Sequence, residues 1–247
     1  CAYPTTYYAR TTGVGWLITQ MQKQHERRLN NGLRIGVIGL GAGTLAAYCR
    51  ATDYMRFYEI NPQVIEVANT YFRYLKDCQG KIDIVENDAR LALEKELKKG
   101  EAQQFDILVV DAFTDDAIPT HLITKEAMLL YLKHISKKEG ILALHVSNKY
   151  IDLLPIVKAH ADHFKLHGVV IKTPADYVRE IFPAHWVLLS YRPFAKEFFS
   201  KHWVFLSENP ISVDPIKIPK ATILDLNNIK KSVLWTDQYN SILHVLK

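Results

Sequence analysis

The residues best placed to do chemistry are acids that follow apolar runs. Ile107-Leu-Val-Val110 leads into Asp111, and Asp115 and Asp116 come shortly after it. Carboxylates this close repel one another unless positive charge sits among them. A cationic ligand, such as a sulfonium together with a protonated amine, would supply that charge; solvated loop and cap residues are the plainer reading. Glu59 closes a second apolar run. Asp88 follows a third, where it can take a hydrogen bond from an exocyclic amine or cap the next helix. A carboxylate has lone pairs enough for both roles.

Ahead of all three runs in the chain lies Arg34-Ile-Gly-Val-Ile-Gly-Leu-Gly-Ala-Gly-Thr44. A strand enters a turn with glycines at 39, 41 and 43, and the following residues are expected to begin a helix. Glycine admits close approach of backbone to ligand. Thr44 stands where a dinucleotide fingerprint would have its third glycine, and no Lys-Ser/Thr follows as a P-loop requires. The Gly-x-Gly-x-Gly spacing suits S-adenosyl compounds instead. Glu59 lies twenty residues after Gly39, where an acid can accept both hydroxyls of an adenosine ribose.

These residues need strands to carry them to one edge. Strands are predicted at Arg34–Ile38, Met55–Glu59, Ile82–Glu86, Phe105–Val110, Ile141–Val146, Val169–Lys172 and Trp186–Ser190. Helices are predicted at Pro62–Leu75, Ala89–Lys98, Lys125–Ile135 and Leu153–Phe164. The alternation implies βαβ units and a mainly parallel, seven-stranded sheet. Unbroken apolar strands imply helices on both faces. A polar amphipathic helix is expected from Trp16 to Leu29, with Tyr7 and Tyr8 before it either packing on the surface or forming a lid over a ligand. Residues 1–32 therefore read as an N-terminal segment with a lid and helix. Residues 33–195 read as the nucleoside-binding domain, and 196–247 as a C-terminal extension packed on it. In that extension Phe194–Lys201 reads as a helix and Trp203–Leu206 as a strand.

With 48% hydrophobic and 23% charged residues the chain has the composition of an ordinary soluble globular protein, and its 247 residues are enough for one sizeable domain plus a small appendage. Its net charge of +5 is modest, and runs such as Glu94–Lys99 mix signs as a solvated helix face does, so no nucleic-acid partner is expected. Cys1, Cys49 and Cys78 have no metal or redox spacing, which argues against a disulfide framework and for a reducing, cytoplasmic setting. His160, His163 and His167 are spaced like metal ligands, but a surface helix and its following turn account for them, and no metal is expected. No apolar run reaches membrane-spanning length.

Several longer motifs resemble the spermidine synthase-like aminopropyltransferases. They are Pro4-Thr-Thr-Tyr-Tyr8, Gly13-Val-Gly15, Ile38–Thr44, Tyr58-Glu59, Asn87-Asp-Ala-Arg90, Val110–Leu122 and His145-Val-Ser-Asn148. More narrowly, the chain is similar to a bacterial branch often fused to a membrane transporter-like region. The resemblance implies a Rossmann-like methyltransferase fold, decarboxylated S-adenosylmethionine as donor, methylthioadenosine as product, and putrescine or a related polyamine as acceptor. By the same resemblance, Asp111 would take the proton from the attacking amine. Gly39, Gly41, Gly43, Glu59, Asp88 and Ala89 would hold the donor, and Asp115 or Asp116, with Tyr7 and Tyr8, the acceptor. A homodimer is expected. A methyltransferase on the same fold, or a non-catalytic nucleoside or polyamine sensor, are the competing readings.

Overall fold

A computed structural model describes residues 3–28, 32–113, 118–194, 221–241 and 245–246. All seven predicted strands are present: β1 (Arg34–Ile38), β2 (Tyr54–Glu59), β3 (Lys81–Glu86), β4 (Ile107–Val110), β5 (Ile141–His145), β6 (His167–Thr173) and β7 (Ala184–Ser190). An eighth, β8 (Thr222–Asp225), was not anticipated. It is four residues long and lies at the sheet edge, too short for an alternating pattern to stand out. The order is β3-β2-β1-β4-β5-β7-β6-β8. Strands β1 to β5 run parallel, β7 runs antiparallel to β5 and β6, and β8 antiparallel to β6. This is the expected mainly parallel α/β sheet, with β7 and β8 reversed. The expected helix and strand at Phe194–Lys201 and Trp203–Leu206 fall almost wholly outside the described residues.

Helices cover both faces. Helices α3 (Ala89–Lys98), α4 (Lys125–His134) and α5 (Leu154–Phe164) pack with Leu93, Tyr131 and Trp235 on one face. Helices α1 (Gly13–Arg28) and α2 (Pro62–Tyr71) pack with Trp16, Phe57 and Trp186 on the other. Burial of the apolar strands between these layers is the main stabilising term. The C-terminal residues join the first layer, where Trp235 O accepts from Lys125 N at 2.7 Å and Val245 O from Asp152 N at 2.7 Å.

Helix α1 occupies the place expected for an amphipathic helix, and its buried side takes in polar residues as well. Gln20, Gln22 and His25 are buried along with Trp16, Leu17 and Ile18. Gln22 is buried because its amide donates to Tyr48 O at 2.7 Å and to Asp53 at 2.8 Å, satisfying polar atoms that would otherwise be costly inside. The helix also starts three residues early. Its two glycines permit close packing: a Cβ on Gly13 would come within 2.7 Å of Trp186 Cβ, and one on Gly15 would overlap the Ala9 carbonyl and the Tyr48 hydroxyl.

Beyond the glycine turn the expected helix is only a five-residue 3₁₀ turn, Thr44–Tyr48. Asp53 ends it. Its carboxylate is 2% exposed and accepts from the Arg50 backbone and guanidinium and from Leu33 N, bending the chain back into β2. Cys49 and Cys78 form a disulfide, contrary to the expectation of unpaired thiols. Spacing did not reveal the pairing because the partners come from two separate crossovers. In the run Glu94–Lys99, Glu96 turns inward to meet Arg56 at 2.7 Å and the Tyr58 hydroxyl at 2.9 Å, so that face is not wholly solvated.

Candidate active site

Register gathers the site. Ile38 pairs with Tyr58 and Val110, and Val110 with Leu144. The next residue on each strand is therefore level with its neighbours: Glu59, Gly39, Asp111 and His145 form one row at the carboxyl edge. Ligands of open α/β sheets bind along that edge. Here the row borders a cavity of about 1140 Å³ whose wall also includes Tyr7, Tyr8, Gly41, Asp88, Ala89 and Phe113.

The glycines shape one end of it. Gly39 and Gly41 line the cavity, while Gly43 stands behind the turn against Leu75. All three have positive φ, at 94°, 51° and 76°, where a side chain is strained. A Cβ on Gly39 would also overlap the Asp111 carbonyl, whereas one on Gly41 would meet nothing within 4 Å. Glu59 is held by two backbone donors, Leu40 N at 3.0 Å to Oε2 and Asn61 N at 2.9 Å to Oε1. Each oxygen keeps a lone pair for a vicinal diol. Asp88 caps α3 through Leu91 N at 3.0 Å and meets His121 Nε2 at 3.2 Å with its other oxygen. Both readings of Asp88 from the sequence are thus compatible with its geometry.

Asp111 and His145 form the centre. Their side chains are each 5% exposed, and Asp111 Oδ1 lies 2.7 Å from His145 Nδ1. His145 Nε2 lies 3.0 Å from Ser147 Oγ, which accepts from His185 N at 2.8 Å. The His145 ring stacks on Trp186 at 4.3 Å and 7°, its cross-strand partner, and meets Phe113 at 5.0 Å and Tyr7 at 5.5 Å. Burial, then the charge of the nearby Asp111, push the Tyr8 phenol well above the ordinary tyrosine value, so it stays protonated. Tyr48 donates to the Tyr8 carbonyl at 2.5 Å, tying the N-terminal segment across the cavity. Asp115 and Asp116 lie outside the described residues.

His145 was the main omission from the sequence-based site. The signal was there: it ends Ile-Leu-Ala-Leu-His145 as Asp111 ends Ile-Leu-Val-Val-Asp111. His160, by contrast, is a core histidine rather than a surface one. It is fully buried, its Nε2 lies 2.7 Å from Ile123 O, and burial lowers its pKa to about 4. Among the described residues no three His, Cys, Asp or Glu side chains converge as metal ligands, and no helix is long and apolar enough to cross a membrane.

No family model matches the chain. Over 112 residues, 44% of its length, it is 32% identical to a polyamine aminopropyltransferase of Vibrio vulnificus (strain CMCP6), and the match spans 36% of that relative. In fold it is similar to a probable spermidine synthase from Corynebacterium glutamicum ATCC 13032, with TM-score 0.61 and 18% identity over 89% of this chain and 78% of that one. Human methyltransferase-like protein 13 in complex with SAH gives 0.53 and 16% over 73% and 83%. Spermidine synthase from Thermotoga maritima gives 0.50 and 15% over 74% and 62%. At such identities the solved structures establish a shared Rossmann-like fold.

Proposed function

We propose that this spermidine synthase-like chain is a polyamine aminopropyltransferase, moving an aminopropyl group from decarboxylated S-adenosylmethionine to putrescine or a related amine and releasing methylthioadenosine. The observation that carries the reading is the row Glu59–Gly39–Asp111 along one cavity. It offers a diol acceptor at one end, backbone without side chains in the middle and a buried carboxylate beyond. A nucleoside laid along the turn, with its ribose on Glu59, would present its sulfonium tail toward Asp111. The similarity to a polyamine aminopropyltransferase supports the same assignment.

The charges fit the reaction. The donor carries a sulfonium and an ammonium, and the acceptor is an ammonium ion. Glu59, Asp88 and Asp111 offset repulsion between the two substrates. To attack the methylene beside sulfur, the acceptor nitrogen must lose a proton, and removal of that proton depends on Asp111. The nitrogen then forms a bond to carbon while the C–S pair passes to sulfur, leaving a neutral thioether. Tyr7 and Tyr8 roof the acceptor end, and Asp115 or Asp116 hold its distal ammonium. A homodimer and a fused membrane region belong to the same proposal.

Calorimetry with the two donors tests the substrate. The decarboxylated donor is expected to bind at least tenfold more tightly than S-adenosylmethionine, because the pocket's acids repel a carboxylate (about 1.4 kcal/mol or more). Preference for the carboxylated donor would support methyl transfer instead.

A further inference from the structure

We infer that the acceptor's proton leaves through Ser147 to His145, with Asp111 remaining ionised as counter-ion to the imidazolium. The inference rests on the aminopropyl-transfer reading and names the proton's destination within it. At 2.7 Å, Asp111 Oδ1 and His145 Nδ1 require a proton between them, since two bare lone pairs would repel. With that donor directed at it, Asp111 is satisfied as an anion, and a proton placed on the same oxygen would oppose it. The resting imidazole therefore carries hydrogen on Nδ1 and presents a lone pair at Nε2.

That lone pair points at Ser147 Oγ, 3.0 Å away. Because Ser147 already accepts from His185 N at 2.8 Å, its single hydrogen goes to Nε2, and its second lone pair is left for a substrate N–H. One concerted shift balances. The ammonium gives a proton to Ser147 Oγ, the Ser147 hydrogen passes to Nε2, and the freed amine pair attacks carbon as the C–S pair moves to sulfur. The imidazolium then donates from both nitrogens with no hydrogen bond lost, the logic of a Ser-His-Asp array with the serine as conduit. Stacking of the ring on Trp186 at 4.3 Å favours the cation. The ionisable groups in direct contact with His145 are Asp111 from the end of β4 and Tyr7 from the N-terminal segment; Tyr8, Tyr58, Glu59, Asp88, His121, Lys149 and His185 line the same cavity. Of these, Asp111 is the contact that stabilises its charge.

The test combines kinetics with histidine ¹⁵N NMR on the whole protein. His145→Gln should lower kcat about 100-fold with donor affinity unchanged, and should remove the acid limb of the kcat–pH profile. Ser147→Ala should lower kcat and keep that limb, and it carries the kinetic arm if His145→Gln does not fold. In the wild type the His145 resonance, identified by its loss in His145→Gln, should show hydrogen on Nδ1. Wild-type kcat and pH profile in His145→Gln, or unchanged kcat in Ser147→Ala, would overturn the relay. Hydrogen on Nε2 in a protein that turns over sinks the relay alone. Absence of methylthioadenosine release from the wild type with every amine tried, despite donor binding, sinks the transfer reading and the relay with it.

Discussion

Glu59 has both carboxylate oxygens engaged by backbone N–H groups of Leu40 and Asn61, and that arrangement makes its chemistry hard to imitate. In Glu59→Gln the amide nitrogen must face one of those N–H groups, donor against donor. The turn then loses a charge-assisted bond and the ribose an acceptor, a cost of about 1.5–3 kcal/mol. Donor affinity measured by calorimetry should fall at least tenfold, and the melting temperature should fall by a few degrees as the turn loses its bond. Unchanged affinity would remove Glu59 from the donor site. At this scale much of the site was legible, because Asp111 directly follows an apolar strand, Glu59 ends β2 and Asp88 lies two residues past the end of β3. His145 ends its strand in the same way, but its role depends on Asp111 and on Trp186 of the neighbouring strand β7, partners that only the folded sheet brings to it.

Among the elements, the C-terminal segment buttresses the donor end. Arg90 makes a double hydrogen bond to Asp237, at 2.8 Å each, and donates to the His121 carbonyl at 2.9 Å. His121 in turn meets Asp88. The Arg90 hydrogen bond lowers the Asp237 pKa to about 2, below the ordinary aspartate value. A depressed folded-state pKa means stability that is present above pH 4 and lost as pH falls toward 2. Trp235, 1% exposed two residues away, should report it: its fluorescence should change between pH 4 and 2. In Asp237→Asn that step should be absent. An identical step in the variant would assign the transition to another group. Elements differed from expectation where tertiary contacts overrode local preference. Asp53 truncates the helix after the glycine turn, and Gln22 sits inside on α1 because Tyr48 and Asp53 accept from its amide.

For the whole molecule, the long βαβ alternation was readable because short, mostly apolar strand runs such as Ile107–Val110 alternate with helix-length segments. The eighth strand and the Cys49–Cys78 pairing were not, since both depend on segments remote in sequence meeting in space. What the fold accomplishes is registration: parallel pairing brings Glu59, Gly39, Asp111 and His145 level at one edge, and the N-terminal tyrosines close over it. The central claim is that this edge removes a proton from an amine and moves an aminopropyl group. Its most direct test is methylthioadenosine release at saturating decarboxylated donor, with and without putrescine, by the wild type and by Asp111→Asn. Release should require the amine and should fall by about 10²–10⁴-fold in the variant while donor affinity is kept. Equal release by the two proteins, or release indifferent to added amine, would contradict the account.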